Sequence, residues 1–347
     1  MNNTQNQNNF GLLRLSLAIL VILSHSFELI DGNKSREILT KLFDSISFGE
    51  FAVDGFFLVS GYLVFKSYFH SSSLVKYLAK RLLRIYPAFI GASIISILFF
   101  ATLSAGIKVI DWSLVGFTSY LQKMLLLVQP IIVGVFPDNH YKLLNGALWS
   151  IQYEFICYLV LPFVAILSSN QRNVIFTFTC LLTISFTAIK LTLFKYYIYH
   201  DPVFISVGEI ARLTTGFFIG GSYYLYKDKI NWCQRYSVIS LIALIAFLLT
   251  PLLAHLGVFI FGGYLIFNFA INYKNKFYNQ IGSKNDISYG VYLYAWPIQS
   301  LIIQYLPSIS PVLLFSLSVL FSCLFAYLSW KLIEEPLMMF KMKMINT

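Results

Sequence analysis

Charge is scarce in this chain. Of 347 residues only 12% are Asp, Glu, Lys or Arg, while 58% are hydrophobic and mean hydropathy is +0.71. Ordinary soluble domains carry about twice that charge, so a soluble globular surface is excluded. Cysteine is rare as well: Cys157, Cys180, Cys233 and Cys323 fall in apolar stretches or beside basic residues, without paired spacing. Neither a disulfide framework nor a metal site is indicated, and no metal is expected. The sequence shows no internal repeat, low-complexity tract or appended soluble domain. Its first apolar stretch has no preceding positive segment and no small-residue cleavage site, so it reads as a retained helix and not as a cleaved signal.

What is present is a succession of apolar stretches of about 17 to 25 residues, each long enough to cross a hydrocarbon core of about 30 Å. Short polar loops separate them, which favours a helical bundle over a barrel. Spans are predicted at residues 10–30, 48–69, 86–107, 149–168, 174–194, 204–226, 289–306 and 311–333. Between Arg235 and Lys274 no charged residue occurs. A single helix of that length would approach 57 Å, so the run folds back as two spans with a turn at residues 251–257. Residues 114–136 contain Gln122, Lys123, Gln129 and Pro130 and are followed by Pro137, which reads as a re-entrant or interfacial element. The expectation is an all-α, polytopic transmembrane helical bundle of about ten spans, forming one integral membrane domain over residues 1–347.

Charge distribution orients that bundle. With the N-terminus inside, fifteen Lys and Arg fall on inner segments, seven on outer segments and three, Arg14, Lys190 and Arg212, within spans. The bias predicts both termini in the cytoplasm. The net charge of +10 then describes an inner rim suited to anionic lipids or an anionic soluble ligand, and not to nucleic acid.

Polar side chains within the spans carry the functional reading. Arg14 and His25 lie eleven positions apart in the first span, an advance of about 20° past three full turns, so both project from one stripe about 16 Å apart along the axis. A guanidinium and an imidazole in hydrocarbon cost several kcal/mol unless they face partners or a cavity. Either they serve chemistry, or Arg14 snorkels to headgroups and His25 is a hydrogen-bonded packing residue. In the second span Asp54 precedes Gly55, Ser60 and Gly61; the small residues admit either a neighbouring helix or a thin ligand, and Asp54 is a candidate counter-ion. Lys80, Arg81 and Arg84 precede Pro87 at the expected start of the third span. They read either as topogenic charge or, with Lys76, as a grip for phosphate. Pro87 itself is expected at a helix start.

An outer boundary runs from Asn145 through Trp149 and Tyr153 to Glu154, with Trp149 and Tyr153 on one helical face and Glu154 beside them. An aromatic belt explains the first two; Glu154 points to stacking and proton acceptance on a sugar. Tyr289, Tyr292 and Trp296 form a stripe in a later span, where Pro297 frees a backbone carbonyl that a neighbour must satisfy. Glu334 and Glu335 close the last span.

In this order the segments resemble the membrane-bound acyltransferase 3 family. Arg14 and His25 match its Arg-ten-residues-His signature, Gly55 to Tyr62 its Gly-Phe-Phe-x-x-Ser-Gly-Tyr segment, and Arg81 to Pro87 its Arg-x-x-Arg-Ile-Tyr-Pro segment. Asn145 to Glu154, Ser288 to Pro297 and Ile333 to Pro336 match three further motifs. Ala295 stands where many members have histidine, which removes that second histidine's role here. The resemblance implies a stand-alone enzyme of the bacterial inner membrane. It would move an acyl group, usually acetyl from cytoplasmic acetyl-CoA, to a hydroxyl of O-antigen, capsule or exopolysaccharide.

On that reading His25 is the general base, Arg14 holds the donor or stabilises developing charge, and Glu154 and Asp54 assist them. Lys80, Arg81, Arg84, Ser60 and Gly61 face acyl-CoA, while Asn145, Trp149, Tyr153, Tyr292 and Trp296 face a glycan or lipid-linked saccharide. Membrane lipids surround the whole. A second reading, a flippase or transporter of lipid-linked glycan, uses the same buried charges without covalent chemistry.

Overall fold

The computed structural model describes residues 8–196, 202–273, 275–282 and 285–337. Among these residues the chain is helical and contains no strand. The principal helices are α1 (Phe10–Asp31), α2 (Phe48–Phe69), α3 (Leu74–Ala105), α4 (Leu114–Leu125), α5 (Trp149–Ile166) and α6 (Gln171–Tyr196). They continue with α7 (Pro202–Leu225), α8 (Gln234–Leu248), α9 (Ala254–Asn272), α10 (Ser288–Tyr305) and α11 (Pro311–Leu337). Seven helices among the described residues are long and apolar enough to cross a membrane: α1, α2, α3, α5, α6, α9 and α11.

Several boundaries differ from expectation for local reasons. The third helix begins at Leu74, twelve residues before the expected start, so Lys76, Lys80, Arg81 and Arg84 ride on its first turns and Pro87 lies inside it. A widened π turn at Ser96–Ala101 lets the same helix continue to Ala105. The uncharged run does fold back, but its turn closes by Leu253, because Ala254 already opens α9. Helix α8 has 15 residues, about 22 Å, and is short of a full crossing. Residues 114–136 form the 12-residue α4 and then irregular chain. Both chain ends, Lys274 and Lys284 lie outside the described residues, as do the side chains of Lys195 and Lys276, so the charge count rests partly on groups beyond them.

The chain divides into two compact units: Met1–Leu13, Leu39–Leu78 and Tyr153–Asn279 form the first, and Arg14–Ile38, Ala79–Gln152 and Gln280–Thr347 the second. In the first, α2 and α7 approach at two glycines. A Cβ on Gly61 would strike the Phe217 carbonyl, and one on Gly220 would strike the Leu58 carbonyl. Small residues thus bring two backbones together, as membrane helices require where hydrophobic exclusion cannot drive association. Phe65, Phe217 and Phe218 pack edge to face beside this crossing. Asn9 donates its amide to the Phe269 and Tyr273 carbonyls at 3.1 and 2.6 Å, capping the end of α9.

In the second unit α1 and α10 run parallel. Gln299 Nε2 donates to the Ile22 carbonyl at 3.0 Å and to Ser26 Oγ at 2.8 Å. Gly290 lets α10 meet the Ala326 backbone of α11. Proline inside a helix deprives the carbonyl four residues earlier of its donor, and in two places a side chain supplies one. Asn145 Nδ2 donates to the Leu293 carbonyl beneath Pro297 at 2.8 Å. In the first unit Tyr77 does the same for the Tyr158 carbonyl beneath Pro162, at 2.9 Å.

Candidate active site

The polar residues singled out in the sequence fall into groups within each unit. In the second unit both members of the α1 stripe address the segment that contains α10. Arg14 Nη2 lies 3.0 Å from Asp286 Oδ2, and the His25 ring meets Trp296 edge to face with centroids 5.0 Å apart. The ten-residue step from Asp286 to Trp296 nearly equals the eleven-residue step from Arg14 to His25, which is why parallel helices keep both pairs in register. His25 Nδ1 is buried and finds no hydrogen-bond partner among the described residues. Trp296 is itself fixed, donating its indole N–H to the Leu143 carbonyl at 3.2 Å. One turn beyond His25, Glu28 accepts the Tyr141 hydroxyl at 2.9 Å and pairs with Lys34 at 3.4 Å. Burial, reinforced by the Glu28 carboxylate, pushes that phenol up to about 12.

Asp286 gathers the second arginine too. Arg84 Nη2 donates to the same Oδ2 at 2.7 Å, its guanidinium lies 5.6 Å from the Tyr289 ring centre, and the Ser288 hydroxyl donates to Oδ1 at 2.6 Å. Burial opposes ionisation of this carboxyl, but the two guanidiniums and the serine outweigh it and hold the group down at about 2. Lys80 and Arg81 lie on the same helix one turn earlier. The boundary residues also converge, though upon each other. Asn145 caps the Leu293 carbonyl and accepts from the Ala147 N–H, while the Tyr292 hydroxyl reaches the Ala147 carbonyl at 2.6 Å and Ser150 Oγ at 2.9 Å. Trp149 remains exposed.

In the first unit Asp54, wholly buried on α2, takes His255 Nδ1 at 2.6 Å and faces Arg212 Nε at 3.7 Å. Arg212 in turn binds Glu209 one turn back, at 2.6 Å. Two turns farther along α2, Ser60 Oγ donates to Glu154 Oε1 at 2.6 Å, and the Tyr158 hydroxyl donates to the same oxygen at 2.5 Å. Glu154 therefore has two hydroxyl donors from residues four and ninety-four positions away. Gly61 abuts the Phe217 carbonyl, so its missing side chain is accounted for by the helix crossing. Tyr153 is half-buried.

Several of these partners escaped sequence reasoning. Asp286 sits in a short loop with no motif of its own; its only signal was an acidic residue directly ahead of the Ser288 helix. Glu209 and Arg212, three apart within an apolar span, were legible as an ion pair. His255 lay in the stretch assigned to a turn, and it pairs with Asp54 on α2.

Comparison with known proteins agrees with the family resemblance. The family described as an acyltransferase domain, acyltransferase 3, matches residues 8–331. An O-acetyl transferase of Shigella phage Sf6 is 28% identical over 350 residues, covering 94% of this chain and 95% of that protein. Nodulation protein 10 of Rhizobium leguminosarum bv. viciae is 33% identical over 166 residues, 45% of this chain and 43% of the relative. No solved structure matches the chain. With seven candidate spans among its described residues and that family matching nearly its whole length, the chain belongs to the acyltransferase 3 family.

Proposed function

We propose that the protein transfers an acyl group, acetyl supplied by cytoplasmic acetyl-CoA, to a hydroxyl of an envelope or surface glycan such as O-antigen, capsule or exopolysaccharide. The name of the phage relative supports acetyl as the group and oxygen as its destination. On this reading the chain lies in the bacterial inner membrane with about ten spans and both termini cytoplasmic, supported by the fifteen-to-seven charge bias.

The observation that carries the reading is the buried Nδ1 of His25, which has no hydrogen-bond partner among the described residues. An unsatisfied buried polar atom costs about 1–3 kcal/mol, and a substrate hydroxyl is the partner that would recover it. The hydroxyl gives its proton to His25 as its oxygen bonds to the thioester carbonyl carbon. The carbon–sulfur bond then breaks, and the departing thiolate takes a proton. Trp296 holds the imidazole in place. Arg14 and Arg84, with Lys80 and Arg81 on the same rim, receive the donor's phosphates, since guanidinium and ammonium groups there match phosphate in charge and geometry. Trp149, exposed beside the boundary, offers a face on which a sugar ring stacks. Glu154, bridged to Ser60 and Tyr158, and Asp54, paired with His255, are the acidic groups of the first unit.

Mass spectrometry of envelope glycans tests the function. Deleting the gene removes an acyl increment while leaving the polymer at the cell surface, and His25→Ala reproduces the deletion at normal protein abundance. Loss of the surface polymer itself would point to export instead.

A further inference from the structure

Arg14 and Arg84 come from different helices, yet both reach one carboxylate oxygen, Asp286 Oδ2, at 3.0 and 2.7 Å. A carboxylate serving only to neutralise a membrane-boundary arginine needs one cation. Here two guanidiniums share one carboxylate, and Lys80 and Arg81 lie on the preceding turn of the Arg84 helix. Glu334, whose buried Oε1 has no hydrogen-bond partner among the described residues, lies within electrostatic reach of Arg84 and Asp286. Exposure is unequal in an informative way: both arginine side chains are 23% exposed and the aspartate side chain 12%. Asp286 is thus the more buried partner and the two arginines the more exposed ones. Ser288 pins the other carboxylate oxygen at 2.6 Å, so the aspartate cannot swing out to follow either arginine.

We propose that Asp286 is a positioning residue that holds Arg14 and Arg84 side by side as one cradle for a phosphate of the acyl donor. This rests on the acyl-transfer reading above, which puts the donor's phosphates at Arg14 and Arg84, and adds the residue that holds the two together. Without the carboxylate the two guanidiniums repel one another and turn apart, and a phosphate then meets one of them at a time. Asp286→Glu keeps the charge and returns most of the geometry.

The experiment uses the purified full-length protein in detergent, with acetyl-CoA for turnover and inorganic pyrophosphate as a direct binding probe. Asp286→Asn is expected to raise the acetyl-CoA KM and to weaken pyrophosphate binding by about tenfold each, with kcat within about twofold. Asp286→Glu recovers most of that loss. Arg14→Gln weakens pyrophosphate binding less in the Asp286→Asn background than in the parent, since the cradle is already broken. Unchanged or tighter pyrophosphate binding in Asp286→Asn, or a fall in kcat at constant KM, overturns the proposal. Should Asp286→Asn not fold, Asp286→Glu combined with Arg14→Gln reads the same coupling, and additive losses overturn it. A parent protein that binds pyrophosphate through Asp286 but transfers no acetyl from acetyl-CoA keeps the cradle and refutes the function assigned to it.

Discussion

Asn145 supplies a quantitative test of how a boundary motif stabilises the second unit. Pro297 has no N–H, so the Leu293 carbonyl would be an orphan acceptor in the interior were it not for Asn145 Nδ2 at 2.8 Å. Asn145 is 1% exposed, and its Oδ1 also accepts from the Ala147 N–H at 3.3 Å. Asn145→Ala therefore orphans a buried carbonyl, at about 1–3 kcal/mol, and removes a short helix cap worth about 1 kcal/mol. In a Pro297→Ala background the backbone N–H returns and the Leu293 carbonyl regains its helical partner. There Asn145→Ala should cost only the cap, so the two substitutions couple by about 1–3 kcal/mol. Thermal or denaturant unfolding of the four proteins in one detergent reads this directly. Equal cost of Asn145→Ala in both backgrounds would refute the assignment, and Asn145 would then be free for the acceptor.

Three other outcomes follow from the geometry. Gly61→Ala should destabilise the first unit by about 1–3 kcal/mol, because its methyl group forces α2 away from the Phe217 carbonyl; a raised donor KM with unchanged unfolding midpoint would restore Gly61 to a ligand surface. Because the folded-state value of Asp286, about 2, lies below the ordinary 3.8, its contribution is present above pH 4 and is lost as pH falls through 2. That contribution, about 2 kcal/mol, should vanish from the acid-unfolding profile of Asp286→Asn. Replacing Lys80 and Arg81 together by Gln should weaken CoA binding and flatten its dependence on ionic strength, measured by calorimetry between low and physiological salt; an unchanged slope reduces both residues to orientation signals.

The sequence made the class and the motif pairs legible because hydropathy and helical periodicity act locally. Arg14 and His25 were placed on one stripe by spacing alone, and the structure turns both toward the same helix-containing segment. The fold-back between Arg235 and Lys274 followed from length. What spacing could not give was partners distant in sequence: Asp286 for Arg14, His255 for Asp54, Ser60 for Glu154. Each pairing joins residues at least ninety-four apart, so no local pattern encodes it. Proline misled in one place. A helix start was expected at Pro87, yet the helix runs through it from Leu74, because membrane helices accept a missing N–H that an isolated helix would not. Glycine did so in another, since Gly61 admits a neighbouring helix and a ligand equally well until Phe217 is seen against it.

The most direct measurement is acetyl transfer from labelled acetyl-CoA to isolated glycan by purified protein, comparing the parent with His25→Ala. Removing the group that accepts the hydroxyl proton should lower kcat by about 10²–10⁴-fold with the donor KM nearly unchanged. Transfer by His25→Ala within a few fold of the parent would contradict the central role of this imidazole.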